Sequence, residues 1–153
     1  MNQKLLDKYL FLFGSGGLHY ILIELIWRGY SHWTMFALGG ICFVFLGSIN
    51  EILPWQMPLW QQILIGAVGI TTLEFLTGCI VNLWLGWGVW DYSGLPGSLL
   101  GQICPQYFVL WLPVSLAGII LDDWIRYRCY GEERPRYNVG LTWHSQRVVW
   151  MPV

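Results

Sequence analysis

Charged residues are scarce in this chain. Only 11% of its 153 residues are Asp, Glu, Lys or Arg, whereas about 25% is typical of soluble domains. With 56% hydrophobic residues and a mean hydropathy of +0.50, the chain cannot cover a soluble domain with a polar surface. The composition therefore excludes an ordinary soluble protein and indicates a single domain in a lipid bilayer.

The usual sequence signatures of catalysis and cofactor binding are also missing. The chain has no nucleophile elbow, no phosphate-binding Gly-rich loop with a Lys, and no Cys-x-x-Cys. His19 and His32 show neither of the usual zinc-ligand spacings, and no basic stripe is interleaved with aromatic residues for nucleic acid. The sequence therefore predicts no cofactor, no metal and no nucleic-acid partner, and it favours a protein that is not an enzyme.

What the chain does have is long hydrophobic segments. At about 1.5 Å per helical residue, four of them can cross about 30 Å of hydrocarbon. The predicted spans are 9–27, 34–49, 61–84 and 99–121. Many of the 11 tryptophans lie near the ends of these segments, as aromatic residues do at membrane interfaces. The predicted fold is all-α, a polytopic membrane protein with four transmembrane helices.

The basic residues predict the orientation. Lys4 and Lys8 precede the first span, and five arginines follow the last one, at 126, 128, 134, 136 and 147. Because cytoplasmic loops are rich in Lys and Arg, we expect both termini in the cytoplasm and the protein in the plasma membrane. The expected organisation is a cytoplasmic N-terminus (1–8), a transmembrane domain (9–124) and a cytoplasmic tail (125–153).

A weak internal repeat relates the two halves. The same order occurs twice: an acidic residue, a Gly-x-Ile-Cys sequence, and a second acidic site. The first copy is Glu24, residues 39–42 and Glu51, and the second is Glu74, residues 101–104 and Asp122-Asp123. Two repeated helical hairpins would produce this order. Chance similarity between membrane spans would produce it equally well.

Glu24 and Glu74 are the most informative acidic residues, because an acid in hydrocarbon is costly and often functional. A stripe of residues spaced every four positions runs along the third span through Gly66, Ile70, Glu74, Gly78 and Asn82, and four of the five are small or polar. The first span has a shorter counterpart in Gly16, Tyr20, Glu24 and Arg28. Such stripes allow close helix packing. We expect the two stripes to face each other, which would bring both carboxylates together in the outer half and suit proton-coupled cation binding.

The candidate residues for binding a substrate or proton are Glu24, Glu74, Asn82, Asp91, Arg28 and His19. Asp91 is expected in the outer loop above the two glutamates. A structural interpretation remains for each glutamate: Glu24 pairs with Arg28 one turn later, and Glu74 is hydrogen-bonded inside the bundle. His19 lies about 140° around the helix from Glu24, so the two are not adjacent ligands.

A second acidic set lies at the cytoplasmic side. Glu51, Asp122 and Asp123 occur where the second and fourth spans are predicted to leave the membrane. We expect these groups to be solvated helix-end residues. In the fourth span, Pro105 and Pro113 predict kinks, since each removes a backbone donor.

Several short sequences resemble a known family. They are Gly16-Gly17-Leu18-His19, Glu24, His32-Trp33-Thr34-Met35, Asn50-Glu51 with Pro54-Trp55, Glu74-Phe75 with Gly78 and Asn82, Val89-Trp90-Asp91-Tyr92-Ser93, and Gly101-Gln102-Ile103-Cys104. Over residues 10–133 the chain resembles the bacterial ABC-transporter permeases called type IV. The resemblance implies a four-span membrane protein with a transport role, and it carries no catalytic residues.

Three functional hypotheses follow. The first is a permease component that moves a small solute or cation, with Glu24 and Glu74 as its polar site; its partners would be the bilayer, a second copy or another membrane subunit, and an ATPase. The second is a membrane-embedded lipid-modifying enzyme that uses Asp91-Tyr92-Ser93 or Asp122-Asp123. The third is a membrane scaffold or regulatory subunit.

Overall fold

The computed structural model describes residues 3–144 and 147–151. Four long helices dominate it: α1 (Gln3–Arg28), α2 (Trp33–Ile52), α3 (Leu59–Gly78), which continues as a π-helical turn (Cys79–Trp84), and α4 (Pro105–Tyr130). Two short antiparallel strands follow, β1 (Arg136–Asn138) and β2 (Val148–Trp150). All four helices are long and apolar enough to cross a membrane. The all-α, four-span prediction is confirmed.

Three of the four helices are longer than the hydrocarbon core is thick. The stretch Leu59–Trp84, like α1 and α4, contains 26 residues, which corresponds to about 39 Å at 1.5 Å per residue. A hydrocarbon core is about 30 Å thick. The ends of these helices therefore reach the headgroup regions. We call the end of the bundle that carries residues 85–104 the loop end, and the end that carries the C-terminal segment the tail end.

The fourth helix begins and ends later in the sequence than predicted. It begins at Pro105, where the fixed φ and missing N–H suit the first turn. It ends at Tyr130, and Gly131 caps it with a φ of 68°. Pro105 therefore starts the helix, so the kink predicted there is wrong. The helix continues through Pro113.

Helix α2 is the centre of the bundle. It packs against α1, α3 and α4, and α3 also packs against α4, whereas α1 makes its extensive contacts with α2. The α1 contact uses glycines on both helices: a Cβ atom at Gly16 would lie 2.8 Å from the Gly39 carbonyl oxygen. The prediction that the small-residue stripes of α1 and α3 face each other is therefore wrong, because the α1 stripe is used against α2.

The two copies of the Gly-x-Ile-Cys sequence lie in different structures. Residues 39–42 are in the middle of α2, whereas residues 101–104 precede α4 in the long loop, with Gly101 at a φ of 71°. The chain does form two helical hairpins, α1–α2 and α3–α4. The sequence match does not mark equivalent positions within them.

The C-terminal segment folds back on the loop between α2 and α3. Asn138 donates a 2.8 Å hydrogen bond to the Gln56 carbonyl and accepts one of 2.9 Å from the Gly140 N–H. The Tyr137 ring packs edge-on against Trp55 at 6.3 Å between centroids. Tyr137 and Met151 are also buried in the same hydrophobic cluster as residues of α2, α3 and α4. The segment is therefore packed as part of the tail end of the bundle.

Candidate functional site

Glu74 is buried in α3, with 1% of its surface exposed. Its Oε1 accepts a 2.9 Å hydrogen bond from the Tyr92 hydroxyl, and its Oε2 accepts one of 2.9 Å from the Trp111 ring N–H. The two donors come from the long loop and from α4. In the described part of the chain, Glu74 has no ion-pair partner. Its two oxygens are thus satisfied by neutral donors, as a buried polar group requires.

Aromatic rings surround this carboxylate. Tyr92 stacks on Tyr107 with 4.3 Å between ring centroids, and Tyr20 from α1 lies 6.2 Å from the Trp111 ring. Burial, together with the charge of Glu74, raises the pKa of the Tyr92 hydroxyl well above its usual value. Tyr92 therefore keeps its proton at neutral pH and remains a hydrogen-bond donor.

Asn82 holds the long loop against the bundle. It lies in the π-helical turn that follows α3. Irregular turns of this kind often occur at functional sites. Its side chain donates a 2.8 Å hydrogen bond to Gln102 Oε1 and accepts one of 2.7 Å from the Val89 N–H. The Trp90 ring N–H in turn donates to the Gln102 carbonyl at 3.1 Å. Asn82 thus fixes both ends of the loop segment that delivers Tyr92.

Asp91 lies at the surface of the same loop. Its Oδ1 accepts hydrogen bonds from the Ser93 hydroxyl at 2.5 Å and the Ser93 N–H at 2.8 Å. These bonds lower the pKa of Asp91 below its usual value. Tyr92, the next residue, is the one that reaches Glu74. The role of Asp91 in this geometry is to shape the turn.

Glu24 has a separate set of partners. Its Oε1 pairs with Arg28 at 2.6 Å, and its Oε2 accepts a 2.5 Å hydrogen bond from the Ser31 hydroxyl. Arg28 also donates to the Val89 carbonyl at 3.1 Å, which ties α1 to the long loop. No hydrogen bond joins Glu24 to Glu74 in the described part of the chain. Glu24 and Glu74 are thus held by different partners, and the predicted pairing of the two carboxylates stays a prediction.

His19 does not belong to either group. Its side chain is exposed on α1, and Nδ1 lies 2.7 Å from the Ser15 carbonyl of the same helix. Within the described residues, no cluster of three His, Cys, Asp or Glu side chains could hold a metal ion.

A second polar cluster lies toward the tail end of the bundle. Asp122 and Asp123 are buried, with 0% and 4% of their surface exposed, and Arg126 is 2% exposed. The expectation that these aspartates are solvated helix-end groups is therefore wrong. Helix α4 continues past them to Tyr130, so they lie inside the helix and face α2. Glu51 is exposed, as expected.

The cluster joins several elements. Asp123 Oδ2 accepts a 2.6 Å hydrogen bond from Asn50 of α2 and one of 2.8 Å from the Tyr137 hydroxyl. Arg126 pairs with Asp122 one turn earlier in α4. Burial and the charge of Asp123 raise the pKa of Tyr137, so its hydroxyl remains a donor at neutral pH.

The rim of this cluster connects it to α1. The Arg126 guanidinium lies 3.8 Å from the Glu132 carboxylate and 3.9 Å from that of Glu51. Glu132 also forms an ion pair with Lys8 of α1 at 2.5 Å. Sequence reasoning missed the burial of Arg126 and the roles of Tyr92, Trp111 and Tyr137. The four-residue spacing of Asp122 and Arg126 is the one signal that indicates a pair. The tyrosines and the tryptophan come from distant segments and carry no comparable signal.

One comparison with known proteins gives a match. The family described as "Putative ABC-transporter type IV" matches residues 5–130, which covers the four helices and the long loop. No curated protein and no solved structure matches the chain.

Proposed function

The chain belongs to the type IV ABC-transporter family, and we propose that it is a membrane component that moves a small solute or cation, with Glu74 as the group that binds it. The burial of Glu74 without a cationic partner in the described residues carries this proposal. An acid inside a membrane bundle is rare and usually serves transport, proton transfer or helix pairing.

The surroundings of Glu74 suit a positively charged organic group. The rings of Tyr20, Tyr92 and Trp111 lie around a carboxylate that only neutral donors contact. Aromatic faces attract cations, most strongly where water is excluded. A cation that reached Glu74 would gain both the carboxylate charge and these rings. Arg28 pairs with Glu24 and does not neutralise Glu74.

Access to Glu74 would require the long loop to move. The Tyr92 hydroxyl occupies Oε1 of Glu74, and Tyr92 is carried by the loop that Asn82 and Gln102 hold in place. A ligand would therefore displace Tyr92 from the carboxylate. In this proposal the described structure is the closed state, and the loop end of the bundle is where the site opens.

In this proposal the tail end of the bundle faces the cytoplasm and binds an ATPase. The loop between α2 and α3 is short, but the C-terminal segment packs on it through Asn138 and Tyr137. Together they form one surface attached to α2 and α4 by way of Asp123. A partner bound there could act on two transmembrane helices at once.

The binding proposal is tested with tetraphenylphosphonium as the probe cation and the full chain purified in mild detergent. We expect saturable binding to the wild-type protein and at least about a tenfold loss in Glu74→Gln, which corresponds to about 1.4 kcal/mol. Glu51→Gln is the matched control, because Glu51 is an exposed acid at the tail end. Unchanged binding to Glu74→Gln, or no binding to the wild-type protein, would contradict the role of Glu74.

The ATPase partner is tested separately by affinity purification in mild detergent followed by mass spectrometry. We expect an ATPase subunit to copurify with the chain. Recovery of the chain alone, or with another membrane protein and no ATPase, would instead support a scaffold or regulatory subunit.

A further inference from the structure

Independently of transport, we propose that the C-terminal segment rests on the membrane and contacts anionic phospholipid headgroups through a surface formed by Trp60, Val139, Leu141, Trp143 and Arg147. We call this surface the lipid-facing patch. Its four apolar side chains are all exposed, and Leu141 is 81% exposed. Exposed apolar surface of this kind commonly marks a site of interaction.

Hydrogen bonds place the patch beside the first turn of α3. The Trp60 ring N–H donates to the Leu141 carbonyl at 3.2 Å, and the Trp143 ring N–H donates to Gln61 Oε1 at 3.1 Å. Trp60 and Gln61 are the second and third residues of α3. The patch therefore lies at the same depth as the beginning of this helix.

That depth corresponds to the headgroup region. The continuous stretch Leu59–Trp84 is about 39 Å long, about 9 Å more than the hydrocarbon core. If the excess is divided between both ends, about three residues at each end lie among the headgroups. Trp60 and Gln61 fall in this range. Tryptophan is enriched at this level, since its ring is apolar and its N–H is polar.

The charge of the segment favours anionic lipids. No Asp or Glu follows Glu133, whereas Arg134, Arg136 and Arg147 do. Arg147 lies next to the apolar residues, because its carbonyl accepts a 2.8 Å hydrogen bond from the Val139 N–H. Its side chain has no ion pair with any described residue. An unpaired arginine at the membrane surface attracts anionic headgroups.

The depth of the patch is tested with the full chain in nanodiscs. A Cys129→Ser parent removes the exposed cysteine; Leu141→Cys in this parent carries the environment-sensitive fluorophore NBD. The matched control is Glu133→Cys, because Glu133 is a charged and exposed residue of the same segment. We expect nitroxide-labelled lipid to quench the label at 141 several times more strongly than the label at 133. Equal quenching at both sites would overturn the proposal.

The charge preference is tested with brominated phosphatidylglycerol and brominated phosphatidylcholine as quenchers of the same label at 141. We expect a preference for phosphatidylglycerol that falls about fivefold in Arg147→Gln. Arg136→Gln should retain it, since Arg136 already pairs with Glu133 at 3.5 Å. The absence of a preference, or an equal loss in both variants, would overturn the contact with anionic headgroups.

Discussion

The hydroxyl of Tyr137 donates a 2.8 Å hydrogen bond to Asp123 Oδ2. Tyr137 belongs to the C-terminal segment, whereas Asp123 lies inside the fourth transmembrane helix and also accepts a hydrogen bond from Asn50 of the second. All three side chains are buried. One carboxylate therefore joins the C-terminal segment to two membrane-spanning helices.

Tyr137→Phe should loosen the C-terminal segment. The change removes only the hydroxyl, and it leaves a buried carboxylate with one donor fewer, at a cost of about 1–3 kcal/mol. We expect limited proteolysis after residue 131 to become about tenfold faster, since 1.4 kcal/mol corresponds to a factor of ten. Tyr130→Phe is the matched control, because among the described residues the Tyr130 ring meets Phe11 edge-on at 6.3 Å between centroids and its hydroxyl makes no hydrogen bond. The same cleavage rate in both variants would contradict the role of the Asp123 contact.

Tyr92→Phe should destabilise the loop end. The ring and its stacking on Tyr107 are retained, but Glu74 loses the donor to Oε1. The expected loss is about 1–3 kcal/mol in the free energy of unfolding, measured by thermal or denaturant unfolding in detergent. Tyr107→Phe should have little effect, because the Tyr107 hydroxyl makes no hydrogen bond within the described residues. A similar loss in both variants would contradict a specific contribution of the hydrogen bond to Glu74, since both variants keep the stacked rings.

Gly16→Ala should weaken the packing of α1 on α2. A Cβ atom at Gly16 would overlap the Phe43 side chain and approach the Gly39 carbonyl oxygen, and overpacking of this kind typically costs about 1–3 kcal/mol. Gly14→Ala is the control in the same helix. A Cβ atom there meets nothing within 4 Å, so the better helix propensity of Ala should stabilise by up to about 1 kcal/mol. Unfolding midpoints in detergent distinguish the two variants, and equal shifts would exclude a close α1–α2 contact at Gly16.

Asp122→Asn should be among the most destabilising single changes. It leaves the buried Arg126 without the acid that contacts its Nε, and breaking a buried ion pair costs about 3–5 kcal/mol. The double variant Asp122→Leu with Arg126→Met removes both charges, and we expect it to recover most of the lost stability. Arg128→Gln, at an exposed position in the same helix, should be nearly neutral. A double variant no more stable than the single one would show that Arg126 acts mainly through Glu51 and Glu132.

Part of the candidate site could be predicted from sequence. The four-residue spacing from Glu24 to Arg28 indicated the ion pair that forms, and the scarcity of acids in the spans identified Glu74 as unusual. The partners of Glu74 could not be predicted, since Tyr92 lies 18 residues away and Trp111 lies 37 away in the chain. Which distant side chain reaches a buried acid depends on how the loop and the helices pack.

The sequence by itself determined the environment and the number of spans. Each apolar segment must cross the bilayer as a helix because its backbone groups have no other partner there, and this rule needs only local composition. The tertiary structure alone decided which helices meet and which acids are buried. The glycines of α1 pack against α2 and not against α3. Sequence could not decide between these two helices, because small residues permit close packing without specifying a partner. Asp122 and Asp123 are buried for two reasons. Helix α4 extends past them to Tyr130 instead of ending at residue 121, and the C-terminal segment packs on this end of the helix.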